Sequence, residues 1–260
     1  MQLLFLVVSF GASVIGCICG IGGGVIIKPV LDACGVYSVS TISFMSGCIV
    51  LAMTAYSVGK AQLAGESLIE KGISTWLGLG AALGGLAGKQ LFDAVKALFA
   101  NADTVGAVQA AALFLVTLGT LLYTVNRAKI RTHRLKHPLG CGAIGLALGL
   151  MSAFLGIGGG PINLVVLYYF FSMETKTAAQ NSLYIILLSQ LASLLFTILR
   201  SRVPDFPGLL FAAMVCCGIL GGVVGRAINK RIDAATVSKL FLGLLTVIMG
   251  VCCYNFWQFC

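Results

Sequence analysis

The chain reads as an all-α polytopic membrane protein made of two homologous four-segment halves, arranged as inverted repeats with a re-entrant, glycine-broken helix hairpin in each. Three observations predict this. Of 260 residues, 59% are hydrophobic and only 10% are charged, too little charge to cover a soluble domain. Nearly uncharged apolar stretches long enough to span a bilayer recur along the whole length. The run Gly20-Ile21-Gly22-Gly23-Gly24 also returns as Gly156-Ile157-Gly158-Gly159-Gly160.

The repeat extends beyond the glycines. Thr41 pairs with Thr177 and Ser46 with Ser182 at the spacing that pairs Gly22 with Gly158. Gly84-Gly85-Leu86-Ala87-Gly88-Lys89 pairs one residue further on with Gly221-Gly222-Val223-Val224-Gly225-Arg226. This divides the chain into a first transmembrane repeat, 1–126, a basic linker, 127–137, and a second repeat, 138–260. Apolar segments fall at roughly 1–34, 38–58, 72–92 and 104–126, then 139–172, 177–200, 207–229 and 235–257. Six have about the length of roughly 20 residues that crosses hydrocarbon. The first of each half is too long: as a straight helix, 34 residues would reach about 51 Å across a core of about 30 Å. Each long segment carries its glycine cluster near the middle.

Charge separates two topologies. If the long segments cross, the halves are parallel; if they fold back at the glycines, each half crosses three times and the halves are inverted. With the linker in the cytoplasm, the parallel arrangement places nine basic residues inside and seven outside. The inverted one places twelve inside and four outside, with Lys28 omitted from both counts because it lies within a span. The positive-inside bias favours inversion.

The net charge of +9 sits in short loops, above all at Arg127, Lys129, Arg131, Arg134 and Lys136. It reads as a topology signal and a contact to anionic headgroups of the lipid bilayer. Aromatic interleaving and a folded basic face are missing, so no nucleic-acid partner is expected. The cysteines lie mostly within apolar spans and read as small packing residues. Cys17-x-Cys19 lacks the spacing of a metal site. Val14-Ile15-Gly16-Cys17 resembles a lipoprotein cleavage site, but no cationic segment precedes it and its counterpart recurs in the second half. His133 and His137 lie in the linker without partner motifs, so the reading is not an enzyme, with no cofactor and no metal. Tyr168, Tyr169 and Trp257 read as interfacial anchors.

A glycine triplet frees φ and ψ and weakens the helix. Pro161 follows the second triplet, where it suits the first turn of a new helix; Pro29 follows the first at a distance. A helix restarting after a break aims N–H groups and its positive dipole end into the gap, which suits an anion. Two such breaks meeting near the midplane would make the broken-helix site of a secondary transporter. The competing reading is close packing, the role expected of Gly78, Gly80, Gly84, Gly85 and Gly88 and their counterparts. A dinucleotide or phosphate loop is excluded, since neither run joins a strand to a soluble helix.

The run Gly20-Ile21-Gly22-Gly23-Gly24-Val25-Ile26-Ile27-Lys28-Pro29 resembles the first signature of the TauE/SafE family, the sulfite exporter-like permeases. Gly156-Ile157-Gly158-Gly159-Gly160-Pro161 looks like its second copy, and the likeness extends to length, two four-segment halves and a polar linker. The resemblance implies a multi-pass carrier for small anions in the plasma membrane (a bacterial-type inner membrane), often for sulfur oxyanions or organosulfonates. The second copy departs by placing proline directly after the triplet and Val165 where the first has Pro29.

The expected substrate site comprises Gly22, Gly23, Gly24, Lys28, Ser46, Gly158, Gly159, Gly160, Asn163, Asn181 and Ser182. Hydroxyls and amides could bind an oxyanion; the alternative is that serines bond their own helix and asparagines bridge helices. Lys28, inside a span, could balance an anion or snorkel. No carboxylate reads as mid-span, with Asp32 placed near a span end, so no proton relay is expected, and export or facilitated diffusion is favoured. The function read here is a secondary transporter moving a small anion, such as sulfite, by alternating access. An anion channel or facilitator and a non-transport membrane assembly protein stand as alternatives. Substrate, direction, coupling ion and oligomeric state, a homo-oligomer included, stay open.

Overall fold

The computed structural model describes residues 2–98, 102–135, 137–155, 157, 160–200 and 203–259. Among them there are ten α-helices and no strand. In chain order these are α1 (Gln2–Cys19), α2 (Gly24–Ala33), α3 (Val39–Leu63), α4 (Lys71–Leu98) and α5 (Ala102–Asn126). After a 3-10 turn at Arg127–Lys129 come α6 (Pro138–Leu155), α7 (Pro161–Phe171), α8 (Thr175–Leu199), α9 (Gly208–Arg231) and α10 (Ala234–Phe259). Seven are long and apolar enough to cross a membrane, the exceptions being α2, α4 and α7. α4 has the length, 28 residues, but glycine and alanine take the places of larger apolar side chains.

Both over-long segments break where the glycines fall, into α1–α2 and α6–α7. Each then doubles back. A Cβ on Gly23 would meet the Ala12 carbonyl oxygen at 3.0 Å, so the start of α2 lies beside the middle of α1. The rings of Phe5 and Tyr37, 6.0 Å apart, bring the two ends of the hairpin together. In the second half the His133 N–H donates to the Tyr169 carbonyl (2.7 Å) and the Leu135 N–H to that of Phe170 (2.9 Å). α7 therefore ends against the loop from which α6 departs.

Close glycine contacts fix the helix directions. Added Cβ atoms on Gly84 and Gly88 would sit 2.0 and 2.4 Å from the carbonyl oxygens of Leu146 and Leu150, so α4 and α6 run parallel. Gly221 and Gly225 abut the carbonyl oxygens of Phe10 and Val14, each at 2.5 Å, so α1 and α9 do the same. Phe10 and Val14 occupy the repeat positions of Leu146 and Leu150; the two halves mesh through matching atoms. Backbones this close are possible only without a side chain, which is how glycine lets apolar helices gain contact in lipid. α3 and α8 run antiparallel: Gly47 faces Gln190 and Leu194, while Val50 and Ile186 both line Gly22.

The ends of α3, α5, α7 and α9 and the starts of α4, α6, α8 and α10 share one face with the basic linker, here called the loop face. Arg127 ties the linker to the turn before α8 by donating to the Met173 carbonyl (3.2 Å). On the same face Glu66, between α3 and α4, pairs with Arg226 (2.8 Å) and Lys230 (2.5 Å) of α9. The hydrogen bond from Lys230, then the nearby charges, hold its carboxyl below the usual range.

Two expectations change. Tyr168 is buried, with the Arg127 guanidinium 3.8 Å over its ring, so it packs the protein and does not anchor it in the interface; Trp257 is exposed. Asp32 is also buried: its side chain is 7% exposed and bonded to Lys28.

Candidate functional site

A cavity of about 160 Å³ lies between α3, α4, α5, α6 and α8 and opens opposite the loop face, where Ser40 and Arg200 are exposed. Its polar wall carries Ser43, Lys89, Ser152, Ser189, Gln190 and Thr197. Its apolar wall carries Phe44, Phe92, Leu194 and Phe196. Ser152, Ser189 and Gln190 are buried in the protein yet face this space, which is how a membrane protein keeps polar groups at depth.

Lys89 projects from α4 towards α8, where its ammonium donates to the Ser193 carbonyl (3.2 Å) and to the Thr197 hydroxyl. Arg200 sits at the mouth with its guanidinium 4.7 Å over the Phe196 ring. Cationic groups, hydroxyls and amides around a space of this size can bind a small anion; the phenylalanines accommodate an apolar body attached to it. The repeat matches Lys89 to Arg226 and Ser193 to Ser57, and Arg226 donates to the Ser57 carbonyl, also at 3.2 Å. At the matching loop-face position Cys17 lies against Ser57, and Glu66 accepts from Arg226.

Of the residues expected from sequence, none of the described ones lines this cavity. Gly22, Gly23 and Gly24 are buried at the first break, with φ of 79° and 60° at the first two. The backbone N–H groups here bond locally: Gly24 to the Gly22 carbonyl (2.5 Å), Ile26 and Ile27 to that of Gly23 (2.9 and 3.0 Å). Gly158 and Gly159 lie outside the described residues. Gly160 caps α7 in an extended conformation, and Pro161 occupies its first turn. The two breaks meet, since a Cβ on Gly24 would touch the Ile157 carbonyl oxygen (2.5 Å) and one on Gly160 would touch Val25 (3.4 Å). Ser46 is buried next to Gly24. Asn163 and Ser182 are buried, with Oδ1 of the first and Oγ of the second lacking a partner. Asn181 binds the α3–α4 loop.

Lys28 is 5% exposed and pairs with Asp32 at 2.8 Å. Its ammonium also donates to Gln109 Oε1 at 3.2 Å, and Gln109 lines the cavity. Sequence reasoning missed Gln109, Ser152 and Gln190, and took Lys89 for a topology charge. One signal was available: Lys89 closes the repeated glycine run at the position of Arg226.

The fold and the cavity define a polytopic helical membrane protein of permease build. The family model described as "Sulfite exporter TauE/SafE" matches residues 5–251, and the chain belongs to that family of membrane transporters. It is similar to the "Probable membrane transporter protein YunE" of Bacillus subtilis (strain 168), at 23% identity over 270 residues covering 95% of each chain. No solved structure matches it significantly.

Proposed function

We propose that the chain is a secondary transporter that moves a small anion, a sulfur oxyanion or organosulfonate such as sulfite, by alternating access. The observation that carries this reading is the cavity, a polar pocket with Lys89 in its wall inside an otherwise apolar helical body. Membership of a transporter family supports it. The fold-back of each broken segment and the opposed directions of α3 and α8 support inverted repeats, with the loop face towards the cytoplasm. In that arrangement the cavity opens outward, as expected of one end state of an alternating-access cycle. The meeting of the breaks at Gly24 and Ile157 supplies the barrier between the two sides.

The test is a panel of sulfite, thiosulfate, sulfoacetate and methanesulfonate in proteoliposomes at a set membrane potential. A carrier gives flux that saturates with substrate, and Ser193→Phe, which fills the cavity, lowers it at least about tenfold at equal protein insertion, since displacing ligand from a pocket costs most of its binding. Normal flux through Ser193→Phe would remove the cavity from the pathway. Flux that never saturates would favour a channel, and no flux for any anion an assembly role.

A further inference from the structure

We infer that the buried Lys28–Asp32 pair is a proton-binding site coupled to the anion, so that one proton and one monovalent anion move together. The inference rests on the anion reading of the cavity. Asp32 is the buried acid that the sequence placed near a span end; its side chain is 7% exposed and that of Lys28 is 6% exposed. An ion pair enclosed in this way in an apolar helical protein is expensive to keep and is a functional candidate. Its two carboxylate oxygens differ. Oδ2 accepts from Lys28 at 2.8 Å, whereas Oδ1 is buried with no hydrogen-bond partner and is the atom free to take a proton.

The pair is one hydrogen bond from the cavity wall. Lys28 Nζ donates to Gln109 Oε1 (3.2 Å), Gln109 Nε2 donates to the Phe154 carbonyl (2.6 Å), and Gln109 itself faces the cavity. Among the described residues, the groups facing the pair from neighbouring elements are Gln109 of α5 and Asn255 and Cys252 of α10; Asn255 donates to the Pro29 carbonyl within α2 (3.0 Å). α1 has no charged residue, and the charged residue of α3, Lys60, is at its loop-face end.

Charge balance supplies the coupling. With the cavity empty, the Lys28 ammonium and the Asp32 carboxylate sum to zero. An anion that takes the Lys28 ammonium beside Gln109 leaves the Asp32 carboxylate without its partner, a lone negative charge that low-dielectric surroundings oppose. A proton taken from water at the open face forms an O–H bond at Asp32 Oδ1 and cancels it. The loaded site, with ammonium, carboxylic acid and anion, again sums to zero. Proton without anion, or anion without proton, leaves an uncompensated charge, so the two enter and leave together.

The experiment uses the full chain in proteoliposomes with a pH-sensitive dye in the lumen and the potential clamped by potassium and valinomycin. The probe is methanesulfonate, or the fastest-carried strong-acid anion of the panel if another exceeds it, because such anions carry no proton of their own. An inward gradient should acidify the lumen by one proton per anion, at a rate indifferent to the clamped potential. Asp32→Asn should lower this acidification at least tenfold, and Asp32→Glu should retain it. Anion flux that leaves the dye unchanged and scales with the potential overturns the proposal, and wild-type protein alone suffices for that outcome if Asp32→Asn does not fold. Absence of flux for every anion sinks the transport reading and this one with it; flux without protons sinks this one only.

Discussion

Asn181 illustrates how a polar side chain within a span can be structural. Its Oδ1 accepts from the Glu70 N–H (2.8 Å) and the Ser74 hydroxyl (2.5 Å), and its Nδ2 donates to the carbonyls of Leu68 (3.0 Å) and Thr177 (2.7 Å). The amide thereby pins the loop between α3 and α4 to the first turns of α8. Asn181→Ala removes these bonds at once and leaves the buried Ser74 hydroxyl unpaired, a loss of about 1–3 kcal/mol. A lowered thermal midpoint of the purified protein is expected. Ser182→Ala, one residue away, removes an Oγ that has no partner and should leave the midpoint nearly unchanged. Sequence marks both residues as polar groups in an apolar helix. It does not tell a ligand contact from a tie, because three of the four partners of Asn181 lie more than a hundred residues away in the chain.

At the scale of the element, the two broken segments share a role and differ in construction. The first break passes through left-handed backbone at Gly20, Gly22 and Gly23, with φ of 76°, 79° and 60°. The second break enters α7 through an extended Gly160 and Pro161. Gly22→Ala should therefore destabilise the α1–α2 hairpin, first by about 1–2 kcal/mol for a Cβ in left-handed backbone and further by its approach to Ile186 at 3.1 Å. Gly11→Ala, in the middle of α1 with nothing within 4 Å of the added carbon, should stabilise by up to about 1 kcal/mol through helix propensity. Unfolding midpoints of opposite sign within one hairpin would check both terms. The breaks were legible because segment length and a repeated glycine run are local signals. The cavity was not, because Lys89, Gln109, Ser152 and Ser193 come from four different helices and, Lys89 apart, none sits in a repeated run. The burial of Asp32 was hidden for a related reason: α2 ends one residue after it, and only the packing of α2 against α1, α3 and α10 encloses that end.

For the whole molecule, helix direction decides where the charges fall, and the charges in turn decide which way the molecule sits in the bilayer. Lys60, Lys71, Arg127, Lys176, Arg226, Lys230, Arg231 and Lys239 lie at the loop-face ends of helices, together with the linker residues Lys129, Arg131 and Arg134, and Lys136 belongs to this side by sequence order. By sequence order, Lys89, Lys96, Arg200 and Arg202 belong to the opposite side. Orientation is thus over-determined under inversion: replacing Lys129, Arg131, Arg134 and Lys136 by glutamine still leaves eight basic residues facing four. Were the halves parallel, the same replacements would leave Lys60, Lys71, Arg127, Arg200 and Arg202 facing seven, and basic residues near span ends set the side that stays in the cytoplasm. The two arrangements therefore predict different outcomes for one variant. With an antibody epitope inserted after Ile130, the inverted molecule should present it on the cytoplasmic side both before and after the four replacements. A parallel molecule should expose it on the outside, or on both sides, once they are made. Epitope accessibility in intact cells and in inverted membrane vesicles distinguishes the two without reference to flux, and an epitope that changes sides would exclude the inverted arrangement.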